Sequence, residues 1–183
     1  MSPQLRTENP SALALSTTDR GRTAPCRLAC WFDEDAPRRQ TYTIRADGPW
    51  GHVEGTGWDG FGALLDARRR LEPLGWLLAV AGARRDAWPS GFLRESGGEE
   101  AYLLLPPAAG TELPALPILA PAPAHLAATA ADQEAAHRRW LETPPTAIAA
   151  PARADAPTRR KRFAFRGPRA VESPSPTRGG AAR

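Results

Sequence analysis

The sequence predicts an α+β domain: a small antiparallel or mixed four-stranded sheet covered by two helices, in the order β-β-α-β-β-α, with disordered termini. Three observations predict it. Short apolar runs with a period of two alternate with two longer patterns of helical spacing. The large apolar residues concentrate in residues 39–142, about the span of one ordinary domain. Proline and glycine, 20 and 16 of 183 residues, fall between these patterns and give them sharp ends. Core material is scarcer than the 42% hydrophobic content suggests, since 35 residues are alanine and only 30 are Leu, Ile, Val or Phe.

In chain order, Tyr42 and Ile44 alternate with Thr41, Thr43 and Arg45, which reads as a strand. Asp47-Gly48-Pro49 then turns the chain into a second strand over Trp50 to Thr56. Asp59 is placed to cap a helix beginning near Gly60, because its carboxylate accepts from the free amide hydrogens of a first turn. Phe61, Leu64, Leu65 and Leu71 share one face of that helix, with Asp66, Arg69 and Arg70 off the stripe, and Pro73 or Gly75 ends it. Trp76-Leu77-Leu78-Ala79-Val80 is the most apolar short run and is expected to be the central strand. The connector Ala81 to Phe92 carries Gly and Pro that forbid one regular element throughout. Gly97-Gly98 marks a turn, Ala101 to Leu105 a fourth strand, and Pro106-Pro107 its end. Residues 108–124 read as an extended strap carrying Leu113, Leu116, Ile118 and Leu119. A second helix is expected from His125 to Glu142, with Leu126, Ala130, Gln133, Ala136, His137 and Trp140 on one side.

The flanks read differently. Residues 1–38 are expected to be mostly a flexible arm, with a docking segment at 25–32 supplied by Leu28, Trp31 and Phe32. Residues 143–183 carry nine basic groups against two acids and are expected to be a disordered Pro/Ala/Arg-rich tail. The domain between them carries ten Arg against thirteen acids. A basic groove across it is therefore not implied, and the acidic balance suits a basic partner. No apolar run approaches the roughly 18 residues of a membrane helix, and no secretory signal is legible, so a cytoplasmic protein is expected.

Several constellations invite chemistry. In the connector, Arg84 or Arg85 offers a guanidinium fork for an acidic group, and Trp88 offers a rigid anchor for a protein partner. Ser90 and Phe92 complete this partner-binding candidate. The plainer alternative pairs one arginine with Asp86 or Glu95, makes Trp88 the closure of a sheet edge and gives Ser90 a capping role. Ser90 lacks the Gly-x-Ser-x-Gly setting of a hydrolase nucleophile. Gly55-Thr56-Gly57-Trp58-Asp59-Gly60 lacks both the Walker lysine and dinucleotide spacing, so a tight strand-to-helix connection is favoured over phosphate binding. Cys26 and Cys30 read as a free pair, a metal half-site or a disulfide. His52, His125 and His137 make no ligand pair at helical spacing, and Asp132 and Glu134 point to different sides of a helix, so neither metal, cofactor nor acid-base machinery is predicted. In the tail, Arg159, Arg160, Lys161, Arg162 and Arg166 with Phe163 and Phe165 offer contacts for nucleic acid or an anionic surface.

Tyr42-x-Ile44, Trp76-Leu77-Leu78, Gly82-Ala83-x-Arg85, Pro89-Ser90-Gly91 and Ala101-Tyr102 together resemble small uncharacterised bacterial α+β proteins found near polymorphic toxins. That resemblance spans residues 39–142 and implies an immunity or accessory role. The expected function is a non-enzymatic protein-binding factor, toxin-neutralising or accessory, acting through residues 84–92. The alternatives are a nucleic-acid-associated or regulatory accessory protein using the basic tail, and a small enzyme without a recognisable motif.

Overall fold

Two strands precede everything the sequence pattern had organised. The computed structural model describes residues 3–19, 21–34, 40–105 and 112–143; the basic cluster at 159–166 lies outside them. Strands β1 (Gln4–Ser16), β2 (Thr23–Glu34), β3 (Gln40–Gly48), β4 (Gly51–Gly57) and β5 (Trp76–Leu78) form one sheet in the order β4-β3-β2-β1-β5. A second sheet orders β6 (Ala87–Trp88), β7 (Glu100–Leu103) and β8 (Ala115–Pro117), and all pairings in both sheets are antiparallel. Three helices accompany them: α1 (Gly60–Leu71), the short α2 (Gly91–Glu95) and α3 (Ala130–Glu142). The class is α+β as expected. Among the described residues, two sheets and three helices replace the expected four-stranded sheet and two helices.

The expected arm is thus corrected to a strand pair, and the docking segment at 25–32 is the body of β2, hydrogen-bonded on both sides. Its Cys26, Leu28 and Cys30 alternate inward against exposed Pro25 and Arg27, a half-buried strand pattern. The neighbouring β1 hides its period for a physical reason. It buries Asn9, Ala12, Ala14 and Ser16 while Leu13 remains 45% exposed, and a register shift between Asn9 and Ala12 breaks the alternation.

Because this hairpin lies between β3 and β5, Trp76 to Leu78 is an edge strand and not the central one. Leu78, Ala79 and Val80 are nonetheless buried, since the strap folds across them: Ala81 N–H donates to Ala120 O and Ala122 N–H to Ala79 O, at 2.8 and 3.0 Å. Of the four apolar residues of the strap, Ile118 and Leu119 are buried and Leu113 and Leu116 are half-buried.

Asp59 caps α1 by accepting from Gly62 N–H, and Gly75 follows its end at φ +82°, a left-handed conformation glycine adopts without strain. Gly55 lets α1 lie directly on β4: a Cβ there would sit 2.0 Å from the Ala67 amide nitrogen. This is the tight connection read from the glycine-rich segment. The last helix starts at Ala130 and not at His125, because Pro121 and Pro123 precede a separate 3-10 turn over Ala124–Leu126 and Thr129 supplies the cap, accepting from Asp132 N–H. The connector is more ordered than its composition suggests, holding β6 and the first turn of α2.

Candidate functional site

The helices α1 and α3 meet the connector at a sealed polar seam. Arg68 is 1% exposed, which its place among apolar neighbours on α1 would forbid unless its hydrogens were matched. Its Nη1 donates to Gln133 Oε1 and its Nη2 to Ala128 O at 2.8 Å. The Gln133 amide nitrogen then donates to Gly82 O at 3.0 Å and Ala87 O at 2.8 Å. Burial pulls the Arg68 guanidinium down to about 10, against the attraction of Glu72 and Glu134, so it stays charged at neutral pH. This seam fixes both ends of residues 82–87 to the helices.

One residue along α1, the character reverses. A cleft of about 540 Å³ opens beside Leu65 and Trp88, lined by Arg69 from α1, Arg94 from α2, and Glu134, His137 and Arg138 from α3. Arg69 donates to Glu134 yet its side chain is 57% exposed. Arg94 Nε donates to the fully buried Asp59 at 2.8 Å, and its guanidinium lies 4.7 Å from the Trp58 ring. That contact orients the fork while its two Nη groups hold no acceptor among the described residues. Arg138 is exposed and has no carboxylate partner among the described residues. The lining therefore carries three guanidinium groups against one carboxylate, although the domain as a whole has an acidic balance.

Trp88 makes the rigid part of this cleft. The Phe61 ring meets it edge-on at 5.1 Å, and the His137 imidazole stacks on it at 4.6 Å with 11° between planes. Burial lowers the His137 pKa, which leaves the imidazole neutral at pH 7.

Of the five connector residues read from sequence, only Trp88 lines the cleft. Arg84 is held inside the connector by both oxygens of Asp86, at 2.8 and 2.7 Å, which raises the Arg84 pKa and lowers that of Asp86. The plainer alternative holds for this residue. Ser90 accepts from Leu93 N–H and caps α2. Arg85 is exposed without an ion pair among the described residues, and Phe92 is 73% exposed. Arg69, Arg94 and Arg138 come from three separate segments, so no local spacing pointed to their convergence.

The remaining candidates close. Cys26 and Cys30 are free. Four residues apart on one strand, they stand about 13 Å from each other, beyond disulfide reach or a shared metal ion. Burial raises their thiols to about 11 and about 12, the reverse of nucleophile activation. A second depression of about 340 Å³ lies by Arg6, Glu99 and Glu100, where Arg6 and Glu99 already pair at 2.8 Å. Among the described residues no three His, Cys, Asp or Glu side chains gather to hold a metal ion, and no helix is long and apolar enough to cross a membrane. No protein-family model and no curated protein matches the chain.

Proposed function

We propose that this chain is a non-enzymatic protein-binding factor, of toxin-neutralising or accessory type, whose partner seats on the arginine-lined cleft between α1, α2 and α3. The observation that carries the reading is the pairing of an immobilised aromatic, Trp88, with guanidinium groups whose donors outnumber the acceptors around them. Tryptophan and arginine dominate binding hot spots because one supplies area without losing rotamer freedom and the other supplies directed hydrogen bonds. The connector retains its role in this reading through Trp88, with Arg85 and Phe92 as exposed flanks and Arg84 and Ser90 as its scaffold. The accessory assignment rests on the resemblance of residues 39–142 described above.

Site-directed photo-cross-linking in the native host tests it. A benzoylphenylalanine at position 138 or 92 is expected to capture one protein, while the same probe at Leu13, 45% exposed on the outer face of the large sheet, captures none. Capture from position 13 alone would overturn the cleft as the binding face.

A further inference from the structure

We infer that the cleft takes an acidic peptide segment of the partner, two or more carboxylates spaced about an apolar side chain, with Arg138 and Arg69 as its outer clamps and Arg94 as the inner one. This inference rests on the protein-binding reading and names the chemistry of its partner. A guanidinium presents five N–H donors in a fixed plane, and a carboxylate is the side chain whose two oxygens match that fork. Arg94 spends only its Nε on Asp59 and Arg69 one Nη on Glu134, while Arg138 spends none within the described residues, so the lining has a surplus of donors and a deficit of acceptors. Neutral His137 adds no charge of its own at pH 7.

Geometry favours a peptide over a nucleic acid strand. Base stacking needs a free aromatic face, and here His137 is stacked on the Trp88 ring, Phe61 meets that ring edge-on, and the exposed Trp58 ring carries the Arg94 guanidinium 4.7 Å from its centroid. What remains beside the guanidinium groups is the apolar edge of Trp88 and Leu65, suited to an aliphatic side chain between two acids. The net charge of the domain does not describe this cleft. The acids of the domain that outnumber its arginines are placed elsewhere, so a basic partner suggested by the sum is replaced by an acidic segment suggested by the site.

The probe is a fluorescein-labelled Glu-Glu-Leu-Glu-Glu peptide with blocked ends, titrated with the full chain by anisotropy. Saturable binding that weakens with added salt is expected, with Arg69→Gln and Arg138→Glu each raising Kd about tenfold while circular dichroism and the thermal transition stay at parent values. A Lys-Lys-Leu-Lys-Lys peptide should not bind. Unchanged Kd in both variants would overturn the inference, as would full competition by millimolar inorganic phosphate, which would mark a plain anion site. Tighter and variant-sensitive binding of a short oligothymidylate would overturn it in favour of nucleic acid. Cross-linking separates the two readings: capture from position 138 of a partner segment without acids leaves the protein-binding function standing and removes this inference, whereas no capture from the cleft removes both.

Discussion

Arg68 and Arg69 are consecutive on α1, yet one lies in a sealed seam and the other on an open cleft. Arg68 donates to Gln133 Oε1 and to the Ala128 and Gly82 carbonyl oxygens, all delivered by the fold itself. Arg69 faces solvent with a single carboxylate beside it. The difference shows that the same side chain is sealed into the fold where its acceptors are built in and keeps free donors on the surface where they are few, which is the condition the proposed binding role needs. A buried guanidinium without acceptors would be costly, and an exposed one with solvent acceptors costs little.

Mutations at the two positions should therefore separate stability from binding. Arg68→Met leaves Ala128 O without its partner and removes the acceptor's match at Gln133, so a loss of about 3 kcal/mol in urea denaturation is expected. Arg69→Met should change stability by no more than about 0.5 kcal/mol. Adding Gln133→Leu to Arg68→Met should cost less than the sum of the single losses, because both act in one network. Equal losses at positions 68 and 69 would break the comparison.

Asp59→Ala should follow, with about 2 kcal/mol, since it removes the α1 cap and the buried anchor of Arg94 together. Asp59→Asn keeps an accepting oxygen at the cap and should recover part of that loss while leaving Arg94 without its counter-charge.

Two pH experiments sharpen the picture with smaller effects. The folded-state thiols of Cys26 and Cys30 titrate above their ordinary 9.0, at about 11 and about 12. Their contribution is complete below about pH 9 and is lost as pH rises through those values. Cys30→Ala should accordingly show a shallower alkaline fall in stability than the parent. Native protein should not react with a thiol reagent near pH 8, and urea should make both cysteines reactive. His137 shifts the other way: the fold favours the neutral ring, so its contribution is present above the ordinary imidazole value of 6.5 and is lost as pH falls. The parent's thermal transition should drop more between neutral and mildly acidic pH than that of His137→Gln. The His137 ring lies against the Trp88 and Trp140 rings, and Arg69, Arg94, Glu134 and Arg138 are the charged groups lining the same cleft.

Legibility from sequence followed how local each cause is. The Asp59 cap, the Tyr42 and Ile44 strand and the glycine-mediated connection at 55–60 are set by neighbours in the chain, and all were readable; the strap was legible only as an extended apolar segment, its seat on Ala79 to Gly82 being a long-range contact. Strand β1 was not, because its inward residues are alanine and serine while Leu13 faces out, so hydrophobic periodicity points to the wrong side. The edge position of Trp76 to Leu78 depended on that missed hairpin. In the connector, residue type identified Trp88 but could not tell that Arg84 is consumed by Asp86 two positions on. The cleft arginines converge through tertiary contacts, Arg68 with Gln133 and Arg69 with Glu134 across 65 positions and Arg94 with Asp59 across 35, for which no spacing rule exists.

The most direct test of a recognition role for the cleft is amide chemical-shift mapping of the full chain with the acidic peptide. Shifts should cluster at Gly62, Leu65, Trp88, Arg94 and His137, and should vanish in the combined Arg69→Gln and Arg138→Glu protein. Shifts confined to Leu13, Trp31 and Thr43 on the opposite face of the large sheet, or a cleft response that persists in the combined variant, would contradict it.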